Sequence, residues 1–123
     1  MVERRRGGVL NIGSGAGLTV LPNAAAYIAG KHFVAGFSEA LRADLSGPDV
    51  TVTQVCLGPI ESEFDEVSGS PEDRVGAPQF FRIYAAQCAR EALAAFERGE
   101  ARVFPGRDYR FVMRVLPLLP LWL

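Results

Sequence analysis

Hydrophobic and polar positions change rhythm several times along the chain, and each change predicts an element. Residues 8–12 form a short apolar run bounded by glycines, which with the turn at 14–17 reads as a buried strand ending in a loop. From about residue 23 to 45 the period becomes helical. Phe33, Phe37, Leu41 and Leu45 recur every four residues as one apolar stripe, Asn23 is the expected N-cap, and Ser46-Gly47-Pro48 is a stop. Residues 50–57 are β-branched and mostly apolar, with Thr51, Thr53 and Gln54 as the polar breaks. They predict a second strand, buried on both faces as parallel strands are.

Residues 58–78 carry Pro59, Gly69, Pro71, Gly76 and Pro78 together with six acids between Glu61 and Asp73, and predict a lid loop too long for a plain connector. A second helix is expected over about 79–98, with Ala85, Cys88, Ala92, Ala95 and Phe96 at helical spacing and Gly99 ending it. Arg102-Val103-Phe104 reads as a third strand, closed by Pro105-Gly106. Strand, helix, strand, helix, strand in that order predicts right-handed βαβ crossovers and a parallel sheet. The fold class is therefore α/β, a partial doubly wound sheet of three strands and two long helices within one domain, 1–123. Its first strand would be an unprotected edge, so further chain upstream is expected.

Composition narrows the function classes. Thirteen basic against fourteen acidic residues leave a net charge of −1, without the basic excess a duplex nucleic-acid binder needs. Cys56 and Cys88 form neither a CxxC pair nor a zinc set, and with the lone His32 they leave no metal site in the reading. They are expected as buried free thiols of a cytoplasmic protein. At 107–123 the arginines Arg107, Arg110 and Arg114 share helical spacing, with Phe111, Val112, Val115 and Leu116 on the other side. Beyond them the tail is uncharged, carries Pro117 and Pro120, and is too short to span a bilayer. It is expected to pack on a second subunit or over a missing part of the fold; the rival is a peripheral membrane anchor with Trp122 at the interface.

The chemistry lies in a spacing. Gly13-Ser14-Gly15-Ala16-Gly17 follows a strand, but Leu18 stands where a dinucleotide fingerprint needs its last glycine, and Ile12 and Ala16 break the nucleophile elbow. His32, mid-helix without an orienting acid, makes a poor hydrolase base. Ser14, however, ends the first strand, Tyr27 follows thirteen positions later, and Lys31 comes four after that. Tyr27 and Lys31 share one helix face, and the C-terminal edge of a parallel sheet is where α/β folds bind ligands. A free phenol, with a pKa of about 10, exchanges protons poorly at neutral pH; a nearby ammonium favours phenolate and lowers that value. Such a tyrosine can protonate a carbonyl oxygen or deprotonate an alcohol, while a serine hydroxyl holds the same oxygen.

On these residues the sequence resembles the short-chain dehydrogenase/reductase family, over its C-terminal half. Gly8-Val9-Leu10-Asn11-Ile12-Gly13-Ser14 is similar to the catalytic-serine strand, and Tyr27-Ile28-Ala29-Gly30-Lys31 to the Tyr-x-x-x-Lys helix. Val55-Cys56-Leu57-Gly58-Pro59-Ile60-Glu61-Ser62 resembles Val-x-Pro-Gly-x-Val-x-Thr, with Leu57 for the proline and Ser62 for the threonine. The resemblance implies a Rossmann-type fold and an oxidoreductase interconverting carbonyl and alcohol with NAD or NADP. In that reading Tyr27 is the acid/base, Lys31 lowers its pKa and binds the nicotinamide ribose, and Ser14 orients the substrate oxygen. Gly58, Ile60 and Ser62 then meet the cofactor. The N-terminal strand–glycine-loop–helix unit, the Asn-Asn-Ala-Gly segment and the helix-borne asparagine of the family have no counterpart here, and residues 1–6 are similar to the end of the helix before the serine strand. The expectation is accordingly a chain inactive alone. Its partners are a small carbonyl or alcohol substrate and a second copy of itself, with no nucleic acid. The alternatives are an inactive dehydrogenase fragment and an interaction or peripheral membrane module.

Overall fold

The structure is a computed structural model that describes residues 1–47, 49–61 and 81–118. Residues 1–6 contain a hydrogen-bonded turn, Arg5 N–H to the Val2 carbonyl at 3.0 Å, and lead into β1 (Gly7–Ser14). A 3₁₀ turn (Gly15–Leu18) and α1 (Ala25–Asp44) follow, then β2 (Val50–Leu57), β3 (Ile60–Glu61) and β4 (Ile83–Tyr84). The chain continues as α2 (Ala85–Glu97), β5 (Arg102–Val103), α3 (Arg107–Val115) and a second 3₁₀ turn (Leu116–Leu118). The main sheet runs β1-β2-β5, all parallel, with β1 and β2 in register from Gly7↔Val50 to Ser14↔Leu57. That register sets Ser14 beside Leu57 at the C-terminal edge. β3 and β4 form a small parallel ladder of their own.

Alternation along β1 assigns the two faces of the sheet. Asn11 points to α1, where its Nδ2 donates to Ser38 Oγ at 3.0 Å, and α1 buries Ile28, Ala35 and Ser38. Leu10 points the other way, into a core of Val55 and Val103 packed on Ala92 and Ala95 of α2. Both connections step in the same direction across the sheet, yet their helices cover opposite faces, so the two crossovers have opposite hands. The expectation that both would be right-handed is not met. The rule applies to a helix that packs straight back on the sheet. The β2-to-β5 connection instead detours through the β3–β4 ladder, and we assign the unusual hand to it.

Three other expectations change. Asn23 does not cap α1; it sits in the left-handed region with φ 61°, and Ala24 precedes the helix without a side-chain cap. The stripe of α1 is not its buried line: Phe33 is 70% and Phe37 50% exposed, their rings stacked 6.0 Å apart. Each four-residue step advances about 40° around a helix, so such a stripe drifts off the sheet. The second helix starts at Ala85, not at 79, because Ile83 and Tyr84 pair with Ile60 and Glu61 as strand. Of the expected lid at 58–78, residues 62–78 lie outside the described residues, as do 79–80 and, in the tail, 119–123.

Glu91 ties α3 to α2. Its Oε2 accepts from Arg110 Nη2 at 2.7 Å and from the Gly106 N–H at 3.0 Å, and its Oε1 accepts from Gln87 Nε2 at 2.9 Å. Burial alone would raise this carboxyl, but those hydrogen bonds and the Arg110 charge outweigh it and hold the pKa below the ordinary 4.5. With Arg110 so engaged, α3 buries Tyr109 and Met113 and exposes Phe111 and Val112, the reverse of the expected apolar face.

Candidate active site

Ser14 closes β1 in extended conformation and caps the 3₁₀ turn, its Oγ accepting from the Ala16 N–H at 3.1 Å. The same Oγ donates to the Leu57 carbonyl at 3.3 Å, across the strand pair. The turn then lies directly against α1: a Cβ on Gly17 would stand 2.4 Å from the Lys31 carbonyl oxygen. Glycine is the residue that permits this approach, and it couples the end of β1 to the helix turn carrying Lys31. Lys31 Nζ lies 5.5 Å from the centroid of the Tyr27 ring, within cation–π range. Tyr27 is 47% exposed, open to a ligand, and Lys31 is half-buried. His32 is exposed, its Nδ1 bonded to the Ile28 carbonyl at 3.0 Å, and takes no part.

A residue that pattern reading passed over sits beside Ser14. Tyr109 of α3 is 9% exposed, and its hydroxyl donates to the Leu57 carbonyl at 3.2 Å. Phe81 and Phe104 meet its ring edge-on, each at 6.2 Å. Its hydroxyl fills the space a side chain on Gly15 would need, since a Cβ there would lie 1.7 Å from the phenol oxygen, and Gly58 is open to the ring in the same way. Burial pushes the phenol pKa well up, Cys56 and Tyr27 push it further and the Gly15 backbone opposes, so Tyr109 stays a neutral donor. The available signal was Tyr109 and Met113, four apart and offset from the arginines.

The glycine cluster thus serves packing, Gly15 against Tyr109 and Gly17 against Lys31. Gly58 and Ile60 follow Leu57 at the sheet edge, held by the Ile83 N–H to the Pro59 carbonyl at 3.4 Å. Ser62 lies outside the described residues. On the opposite face an open groove of about 310 Å³ is lined by Leu10, Ile12, Val55, Leu57, Ile60 and Leu93 among others. Among the described lining residues Cys88 is the one titratable group, and burial raises its thiol pKa. Cys56 is buried as well, pushed up to about 11 by burial, with Arg102 opposing and Glu39 adding. Among the described residues no group of His, Cys, Asp and Glu could hold a metal, and no helix is long and apolar enough to cross a membrane.

Residues 1–73 match the family model of the short chain dehydrogenases. The chain belongs to the short-chain dehydrogenase/reductase family. It is 44% identical over 62 residues to the inactive 2-(S)-hydroxypropyl-CoM dehydrogenase 2 of Xanthobacter autotrophicus, covering 50% of this chain and 27% of that protein. To 2-(S)-hydroxypropyl-CoM dehydrogenase 3 of the same organism it is 32% identical over 96 residues, covering 78% of this chain and 36% of the other. Among solved structures, a short-chain dehydrogenase from Sphingobium yanoikuyae in complex with NADPH superposes with TM-score 0.72 at 26% identity, covering 84% of this chain and 39% of that one. The chain thus corresponds to well under half the length of these family members. The α/β fold of the family follows from these matches.

Proposed function

We propose that this chain carries the acid–base portion of an NAD- or NADP-dependent site that interconverts a carbonyl and an alcohol. The observation that carries the reading is the Lys31 ammonium 5.5 Å from the Tyr27 ring, on the helix against which the Ser14 turn is packed. An exposed phenol, an ammonium and a strand-end hydroxyl are the donor set a nicotinamide ribose and a substrate oxygen require, so these residues fit that cofactor. Complexes with NADPH, NADP and NAD among similar solved structures support the same class. The bound nicotinamide supplies or accepts the hydride. Tyr27 Oη gives a proton to the carbonyl oxygen in reduction, or takes it from the alcohol in oxidation. Lys31 holds the ribose, its ammonium lying over the Tyr27 ring. Ser14 Oγ donates to the substrate oxygen and fixes its position. Gly58, Ile60 and Ser62 bound the nicotinamide.

Because Gly15 and Gly17 are filled by Tyr109 and the Lys31 carbonyl, the cluster offers no pyrophosphate cradle. The activity is therefore proposed for this chain joined to such a cradle, in the same polypeptide or in a partner. Tyr27→Phe keeps the ring and removes the proton, so carbonyl reduction by the natural-length protein should fall about 10²-fold or more. Near-normal reduction by that variant would overturn the assignment and favour a non-catalytic member.

A further inference from the structure

We infer that Tyr109 is a positioning residue for Ser14, acting through the one carbonyl that both hydroxyls share, that of Leu57. The inference rests on the reading of Ser14 as the group that orients the substrate oxygen. In the structure Ser14 Oγ spends its only proton on the Leu57 carbonyl, at 3.3 Å, and receives the Ala16 N–H on a lone pair. Ser14 must turn that proton away from Leu57 before it can donate to a substrate. Left to itself, the turn would strip a hydrogen bond from a part-buried strand-end carbonyl, and an acceptor left without a donor there is costly.

Tyr109 removes that cost. Its hydroxyl donates to the same carbonyl at 3.2 Å, and its burial keeps it there in every step. Both O–H···O distances exceed the usual 2.7–2.8 Å, and the two lone pairs of the carbonyl admit both donors at once. When Ser14 leaves, the Tyr109 bond can shorten and the carbonyl stays satisfied. Tyr109 cannot drift away, because Gly15 and Gly58 leave only the space it fills, Phe81 and Phe104 flank its ring, and Glu91 with Arg110 anchors its helix. The C-terminal helix thereby governs how freely the strand-end serine can reach a ligand.

Two readouts test this. Leu57-Gly58 is the one Leu–Gly peptide in the sequence, so ¹³C′-Leu and ¹⁵N-Gly labelling of the full chain isolates its carbonyl resonance. Ser14→Ala and Tyr109→Phe should each shift it little, because the remaining hydroxyl tightens, whereas the double variant should shift it upfield by more than their sum. Additive shifts, or no shift from Tyr109→Phe in the Ser14→Ala background, would overturn the shared-carbonyl device. In turnover, Tyr109→Phe should lower kcat about tenfold, the worth of one hydrogen bond, and leave the cofactor KM unchanged. The same change should do no further harm in Ser14→Ala. An equal loss in both backgrounds would make Tyr109 merely structural and sink the inference. If Ser14→Ala itself leaves turnover intact, the acid–base reading fails with the positioning role, and the carbonyl shifts still decide separately whether the hydroxyls share Leu57.

Discussion

Gly17→Ala tests the contact that joins the serine strand to the tyrosine–lysine helix. The new methyl would stand 2.4 Å from the Lys31 carbonyl oxygen and 2.8 Å from its carbon, both backbone atoms that no rotamer change can move. Ordinary contact begins near 3.4 Å, so the turn and the helix must part by about 1 Å. Gly17 is not in the left-handed region, and the cost is therefore overpacking alone, about 2–3 kcal/mol. With a urea slope of about 1.5–2 kcal/mol/M for a chain of this size, the unfolding midpoint should drop by about 1–2 M. Gly36 of the same helix has nothing within 4 Å of its Cβ position, so Gly36→Ala should instead stabilise by about 0.4–1 kcal/mol. Since a misplacement of about 1 Å can cost 10²-fold in rate, turnover of Gly17→Ala in the natural-length protein should fall by a similar factor with Tyr27, Lys31 and Ser14 all intact. A Gly17→Ala chain as stable as Gly36→Ala would refute the argument that this approach holds the site together.

Glu91→Gln should destabilise the chain by about 1–2 kcal/mol at pH 7, the ion pair being partly solvated. Because the Glu91 pKa is held below its ordinary 4.5, the wild-type advantage is complete above that value and lost as pH falls below it, so the two unfolding curves should converge in acid. Cys56, raised to about 11, should resist thiol reagents at pH 8 until urea unfolds the chain; its stability contribution is whole below pH 9 and shrinks as pH climbs toward 11. Deleting the residues after Val115 should change the oligomeric state or liposome binding, and unchanged light scattering and lipid flotation would show the tail engages neither.

What the sequence determined by itself is local. The strand Val50–Leu57 is legible to its ends, because β-branched residues and flanking glycine and proline act over a few positions. The shared face of Tyr27 and Lys31 follows from helix pitch alone, and the turn after Ser14 from its glycines. Register, approach and face belong to the tertiary structure. Ser14 and Tyr109 reach the Leu57 carbonyl from 43 and 52 residues away, separations that no periodicity encodes. The same holds for the glycines: Leu18 already excludes a dinucleotide fingerprint, but only the tertiary structure puts the Tyr109 hydroxyl and the Lys31 carbonyl in the space their missing side chains leave. The opposite hands of the two crossovers were equally out of reach, because hand depends on which sheet face buries Ser38 and which buries Ala92 and Ala95. Both helices carry small residues at helical spacing, and small residues pack as well on one face as on the other; only the pairing of Asn11 with Ser38 and of Leu10 with the α2 core breaks that tie.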